Sequence, residues 1–235
     1  MTFLGVITVM HADDLPKLHL FVALADNAHQ GIVRVPAKIG NGDDPANNLY
    51  WGCSEGLKSV FSQSATWKLV SAEPGPKPSV LERLVFTDRQ KRFTLTADAY
   101  RGEAIKECTA DFFAAISSSE PSQKTPLVAY IGHDGLMDFS ASEEWGKPGP
   151  GREAIVLCCL SEKYFGPFLR SANARPLLTT TDLMYPGAFI LHAALEGWMN
   201  GESVSEIRER AAVSYARNQK IGVKAARGVF SSREK

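Results

Sequence analysis

Two apolar runs without polar alternation, Leu-Val-Ala-Tyr-Ile at 127–131 and Ala-Ile-Val-Leu-Cys at 154–158, constrain this chain more than any other feature. A strand with no polar face must be covered on both sides, and that happens where helices pack on both faces of a parallel sheet. Further strands are expected at 18–25, 67–72, 84–86 and 176–180, and the runs at 127–131 and 154–158 are expected in the middle of the sheet. Helical patterns alternate with them. Ile105, Cys108, Phe112 and Ile116 recur at three- and four-residue spacing and predict a helix over 97–116, with Thr96 or Asp98 as its cap. Leu191, Leu195 and Trp198 mark a second helix over 188–199, stopped by Asn200-Gly201. Ser203 and Glu206 form a capping box that opens a final helix with Val204, Ile207, Ala211 and Tyr215 inward. The pattern reads as one layered α/β domain over 1–235.

Composition narrows the function classes. Lys plus Arg and Asp plus Glu both total 26, so the chain has no net pull toward phosphate backbones or anionic membrane, and neither is expected as a partner. The apolar runs are strand-length, far short of the ~20 residues of a membrane-spanning helix. Phe3 to Met10 could imitate a signal-peptide core, but no Lys or Arg precedes it and Asp13 and Asp14 follow, so a cytoplasmic chain is expected. Cysteines at 53, 108, 158 and 159 lack the paired spacing of a disulfide framework or of a structural zinc motif, so reduced thiols and no metal or other cofactor are expected. Cys53 and Cys108 fall in helical patterns and read as core.

In an open α/β sheet, ligands bind beyond the carboxyl ends of the strands. That rule selects Asp26-Asn27-Ala28-His29, Gly132-His133-Asp134-Gly135, Cys158-Cys159 and Thr179-Thr180-Thr181-Asp182. If the strands before His133 and Cys159 are neighbours, an imidazole and a thiol emerge into one cleft, as nucleophilic catalysis requires. Glycines beside His133 leave backbone N–H groups open to a developing oxyanion. Side chains alternate along a strand, so one of Cys158 and Cys159 faces the cleft, and Cys159 is nearer the exit. A redox role for the adjacent pair lacks the C-x-x-C spacing. Gly40 to Asp44 reads as a rigid turn within a long loop over 31–48, His192 as structural, and His29 as a further cleft candidate; His11 and His19 flank what reads as an edge segment.

The ordered pair Leu-Val-Ala-Tyr-Ile-Gly-His133-Asp-Gly and Ala-Ile-Val-Leu-Cys-Cys159-Leu-Ser resembles the caspase, legumain and gingipain group of cysteine peptidases, over about 18–199. The resemblance implies a caspase-like three-layer α/β/α sandwich with a mostly parallel central sheet. It also implies His133 as acid/base, Cys159 as nucleophile and a peptide or protein as substrate. The oxyanion-binding glycine after the His would be Gly135, allowing for the intervening Asp134. The pocket for the residue before the scissile bond would be lined by Asp26, Asn27, Thr180, Thr181 and Asp182. Asp134, and Leu157-Cys158 in place of an acidic residue or Gln and Ala before the nucleophile, also admit a second reading, a binding or signalling module without turnover.

Overall fold

The computed structural model describes residues 15–90, 92–119, 125–142 and 144–231; Phe3 to Met10 and His11 lie outside them. A seven-stranded sheet is formed by β1 (Lys17–Ala23), β2 (Trp67–Glu73), β3 (Val80–Asp88), β4 (Thr94–Tyr100), β5 (Leu127–Ile131), β6 (Glu153–Leu157) and β7 (Arg175–Leu178), in the order β2-β3-β4-β1-β5-β6-β7. Only β3 runs against the others. β1 lies in the middle of the sheet, between β4 and β5, so His19 belongs to a central strand and not to an edge segment.

Helices cover both faces, and the alternation of side chains along each strand decides which face each residue meets. Leu18, Leu20 and Val22 of β1, Ala129 and Ile131 of β5, and Ile155 and Leu157 of β6 pack with α1 (Leu57–Ser62), α5 (Ala188–Met199), α6 (Val204–Gln219) and α7 (Val223–Val229). Phe21 and Ala23, Val128 and Tyr130, and Val156 and Cys158 face the other way, onto α2 (Ile105–Ser117) and the segment of α3 (Ser161–Tyr164) and α4 (Gly166–Ser171). The result is a three-layer α/β/α sandwich. All five residues of β5 are buried, which is why its sequence has no polar face.

Three sequence expectations need correction. Residues 97–100 are not the start of a helix: Thr94–Tyr100 is β4, and α2 begins at Ile105 after a single 3-10 turn. Asp98 caps nothing; it receives hydrogen bonds from Arg83 Nε (2.6 Å) and Nη2 (2.7 Å) on β3, and pairs with His19 Nε2 (2.8 Å) on β1. Cys53 sits in the turns before α1, not in a helix. The capping box at Ser203 and Glu206 is present, but α6 is followed by α7. Among the described residues no helix is long and apolar enough to cross a membrane.

Candidate active site

β5 and β6 are parallel neighbours in register, with Ile131 opposite Leu157. Gly132 N–H extends the ladder to Leu157 O (3.2 Å), and His133 and Cys159 each follow two residues beyond that last pair. His133 and Cys159 thus leave the same end of two neighbouring strands, which lie about 4.8 Å apart. Gly132 has φ +139, and an added Cβ would stand 3.3 Å from Ala23 O and 3.4 Å from the Tyr50 ring. The backbone turns out of the sheet there in a conformation that other residues rarely adopt.

The turn after β5 fixes the histidine. His133 Nε2 meets Asp138 Oδ2 at 2.7 Å, Tyr130 donates to His133 O (2.9 Å), and Asp138 also accepts Gly31 N–H (2.9 Å) from the long loop. Asp138 orients the imidazole, yet sequence reading passed over it. The available signal was an acidic residue five positions after the histidine, which a tight 3-10 turn over Gly135–Met137 folds back onto it.

The two cysteines differ sharply. Cys158 is fully buried among the residues of the α2 layer, whereas Cys159 is half-buried. Cys159 Sγ donates to Met184 O at 3.5 Å and accepts Met184 N–H at 3.4 Å. Burial raises the Cys159 thiol above its ordinary value; the Met184 N–H opposes this, and the charges of Asp134 and Asp182 add to the rise. At rest the sulfur is therefore a protonated thiol. Tyr50, buried beside Gly132, is itself pushed up by burial and by the two cysteines.

Asp134 is fully buried. Its Oδ1 accepts Leu136 N–H (2.9 Å), while Oδ2 has no hydrogen-bond partner. Burial pushes its carboxyl up to about 7, with Asp138 contributing to the rise and the Leu136 N–H opposing it. Gly135 is buried, and a Cβ on it would strike the Phe139 ring at 2.7 Å and approach Ile105. Those neighbours belong to the α2 layer, whereas Met184, the partner of Cys159, belongs to the α5 layer.

The expected pocket residues mostly shape the edge itself. Asp26 accepts Ala28 N–H (2.8 Å) and pairs with His29 Nδ1 (2.9 Å), a hydrogen bond that raises the His29 pKa. Asn27 clamps Val35 through both its amide atoms. Thr180 is fully buried, bonded to Ser161 and to Cys158 O. Thr181 donates to Gly228 O (2.7 Å) and is exposed, as is Asp182, whose backbone carbonyl receives Leu160 N–H (3.0 Å). Of these residues, Asp182 is the one whose charge reaches Cys159. Asn48, fully buried, was not singled out from sequence; it pairs with both the N–H and the C=O of Ala25 and so ties the loop to the end of β1. His192 bonds to Ser64 (2.7 Å), and burial lowers its pKa against the opposing charge of Glu196, in keeping with a structural residue. Among the described residues no group of three or more His, Cys, Asp or Glu side chains could hold a metal. Comparisons with family models, with curated proteins and with solved structures found no match to this chain.

Proposed function

We propose that the chain is a cysteine peptidase in which Cys159 is the nucleophile and His133 the acid/base. The observation that carries this reading is the parallel register of Ile131 with Leu157, which gives His133 and Cys159 equal reach beyond adjacent strands. Asp138 adds to it. In the tautomer whose Nε2–H donates to the Asp138 carboxylate, Nδ1 is the nitrogen that serves as the base. Nδ1 takes the Sγ proton, the thiolate adds to the peptide carbonyl carbon, and the C–N bond breaks as the imidazolium returns the proton to the departing amine. Water, deprotonated by the same nitrogen, then opens the thioester, releasing the acid and restoring the thiol. The reaction begins only when substrate draws the sulfur away from Met184 and the proton moves to His133.

The test is labelling and turnover with peptides carrying a thiol-directed electrophile or a fluorogenic amide. Wild type and Cys158→Ala are expected to react and Cys159→Ala to be inert; equal labelling of Cys159→Ala and wild type would remove the proposal.

A second reading, a non-hydrolytic binding module on the same scaffold, is favoured by the Met184-bound thiol. It predicts no turnover of any peptide library by wild type, together with peptide binding that survives Cys159→Ala.

A further inference from the structure

The segments that continue β5 and β6 leave a gap between them. An open depression of about 480 Å³ lies between the turn after β5 and the helices α3 and α4, lined by Leu136, Met137, Asp138, Phe139, Tyr164 and Phe168 among others. Both walls therefore belong to continuations of the strands that end before His133 and Cys159. Phe139, Tyr164 and Phe168 are half-buried and Met137 is exposed, so apolar area is left there that nothing among the described residues covers. Exposed apolar area gathered in a concave place marks a binding surface.

Asp138 is the one charged residue in the lining. Lys106 Nζ and Lys163 Nζ stand 5.9 Å and 4.7 Å from the centres of the Phe139 and Tyr164 rings, but neither lysine lines the depression. Asp138 also ties the depression to the candidate site, because its Oδ2 meets His133 Nε2 at 2.7 Å. In the cycle above, that imidazole returns its proton to the departing amine, so the leaving half of the peptide lies on the imidazole's side of the sulfur. The depression begins at the residue that holds the imidazole.

We propose that this depression takes the side chain of the residue just after the scissile bond, and that a large apolar residue, Leu, Met or Phe, is preferred there. The assignment rests on the peptidase reading and names the substrate class for it. Burial of such a side chain against Met137 and the three rings supplies binding energy that Gly or Ala cannot. An acidic side chain would instead meet the Asp138 carboxylate, which like charge disfavours.

The test has two arms. In the first, the full-length chain digests a library of peptides of mixed sequence and the cut sites are read by mass spectrometry. In the second, Cys159 is labelled by peptidyl chloromethyl ketones, which carry no residue on the leaving side and so report on the thiol alone. Leu, Met and Phe are expected after the cut about tenfold or more over Gly, Asp and Glu. Met137→Asp, with an unchanged thermal melt, is expected to lose most of that preference, and Met137→Leu to keep it. Cuts by wild type with no preference after the scissile bond, a preference that falls before it instead, or an undiminished preference in folded Met137→Asp overturns the subsite and leaves the peptidase reading standing. Labelling of Cys159 without any cut overturns the subsite as well. Absence of both cuts and labelling overturns the subsite together with the reading on which it rests.

Discussion

Two histidine–aspartate pairs of nearly equal length serve different ends. His19 and Asp98 meet at 2.8 Å in mid-sheet, His133 and Asp138 at 2.7 Å beyond a strand end. Their burial is inverted. In the first pair the acid is hidden and the imidazole open, with side chains 2% and 26% exposed; in the second the imidazole is hidden and the acid open, at 8% and 27%. A buried carboxylate needs a cation, and Asp98 has one. Burial pushes its carboxyl up, but the hydrogen bonds from Arg83 and His19 outweigh that and hold it below the usual carboxylate range. The buried imidazole of the second pair is held through Nε2 by the Asp138 carboxylate, which leaves Nδ1 outside that bond. The first pair, with Arg83, ties β1, β3 and β4 together, and the second holds an imidazole just beyond the end of β5.

The largest effects should break the second pair. Cys159→Ala should abolish peptide turnover, and His133→Ala should lower it by about 10²–10⁴-fold, read as kcat/KM on a fluorogenic peptide. Asp138→Asn should retain the fold and cost roughly 10–10²-fold in turnover, with the loss in kcat; an unchanged kcat would show that the carboxylate does not orient the base. Asp98→Asn should do the reverse, lowering stability by about 1–3 kcal/mol in urea unfolding while leaving electrophile labelling of Cys159 at the wild-type rate. The sign with pH follows from its lowered folded value. The stabilisation is present above the unfolded carboxylate range and is lost as pH falls through the folded one.

Asp134 sharpens the contrast, being a buried acid with no cation. Its folded value of about 7 lies above the unfolded one, so the native state binds the proton more tightly. Stability from this group is full in acid and drains away as pH rises from about 4 to about 7. Asp134→Asn should remove that slope and make the protein more stable than wild type at pH 8 by about 2–4 kcal/mol, measured by denaturant midpoints across pH. A parallel pair of pH curves would refute it. The smallest effect is expected from Asp182→Asn. Loss of one anionic charge should move the pH profile of Cys159 alkylation by iodoacetamide toward lower pH, and a shift the other way would break the electrostatic account of the raised thiol.

How far the site was legible from sequence can be judged residue by residue. β5 and β6 were visible because burial on both faces leaves no polar residue in 127–131 or 154–157, and the alternation rule separated Cys159 from the enclosed Cys158. β4 was not visible. Thr-Leu-Thr-Ala-Asp-Ala-Tyr runs into the helical pattern of α2, and its Asp98 is tolerated inside a strand only because Arg83 and His19 arrive from two other strands. Asp26, Asn27 and Thr180 were found by the strand-end rule, yet their polar atoms are largely taken up in shaping the loop and the β6–β7 edge. Asp138 stands too far from His133 along the chain for any strand-end rule to pair them, and only the turn makes them neighbours.

Local patterning by itself determined the layered α/β architecture, the two-faced strands and the placement of a histidine and a cysteine just past their ends, because burial acts on each residue through its period in the chain. Only the tertiary structure decided that β5 and β6 are neighbours in register, that Asp138 and not a distant residue holds His133, that Gly135 lies in the layer opposite Cys159's partner, and that apolar side chains from the continuations of β5 and β6 gather beside Asp138. Those relations depend on strand order and on the paths of loops, which couple residues that share no period.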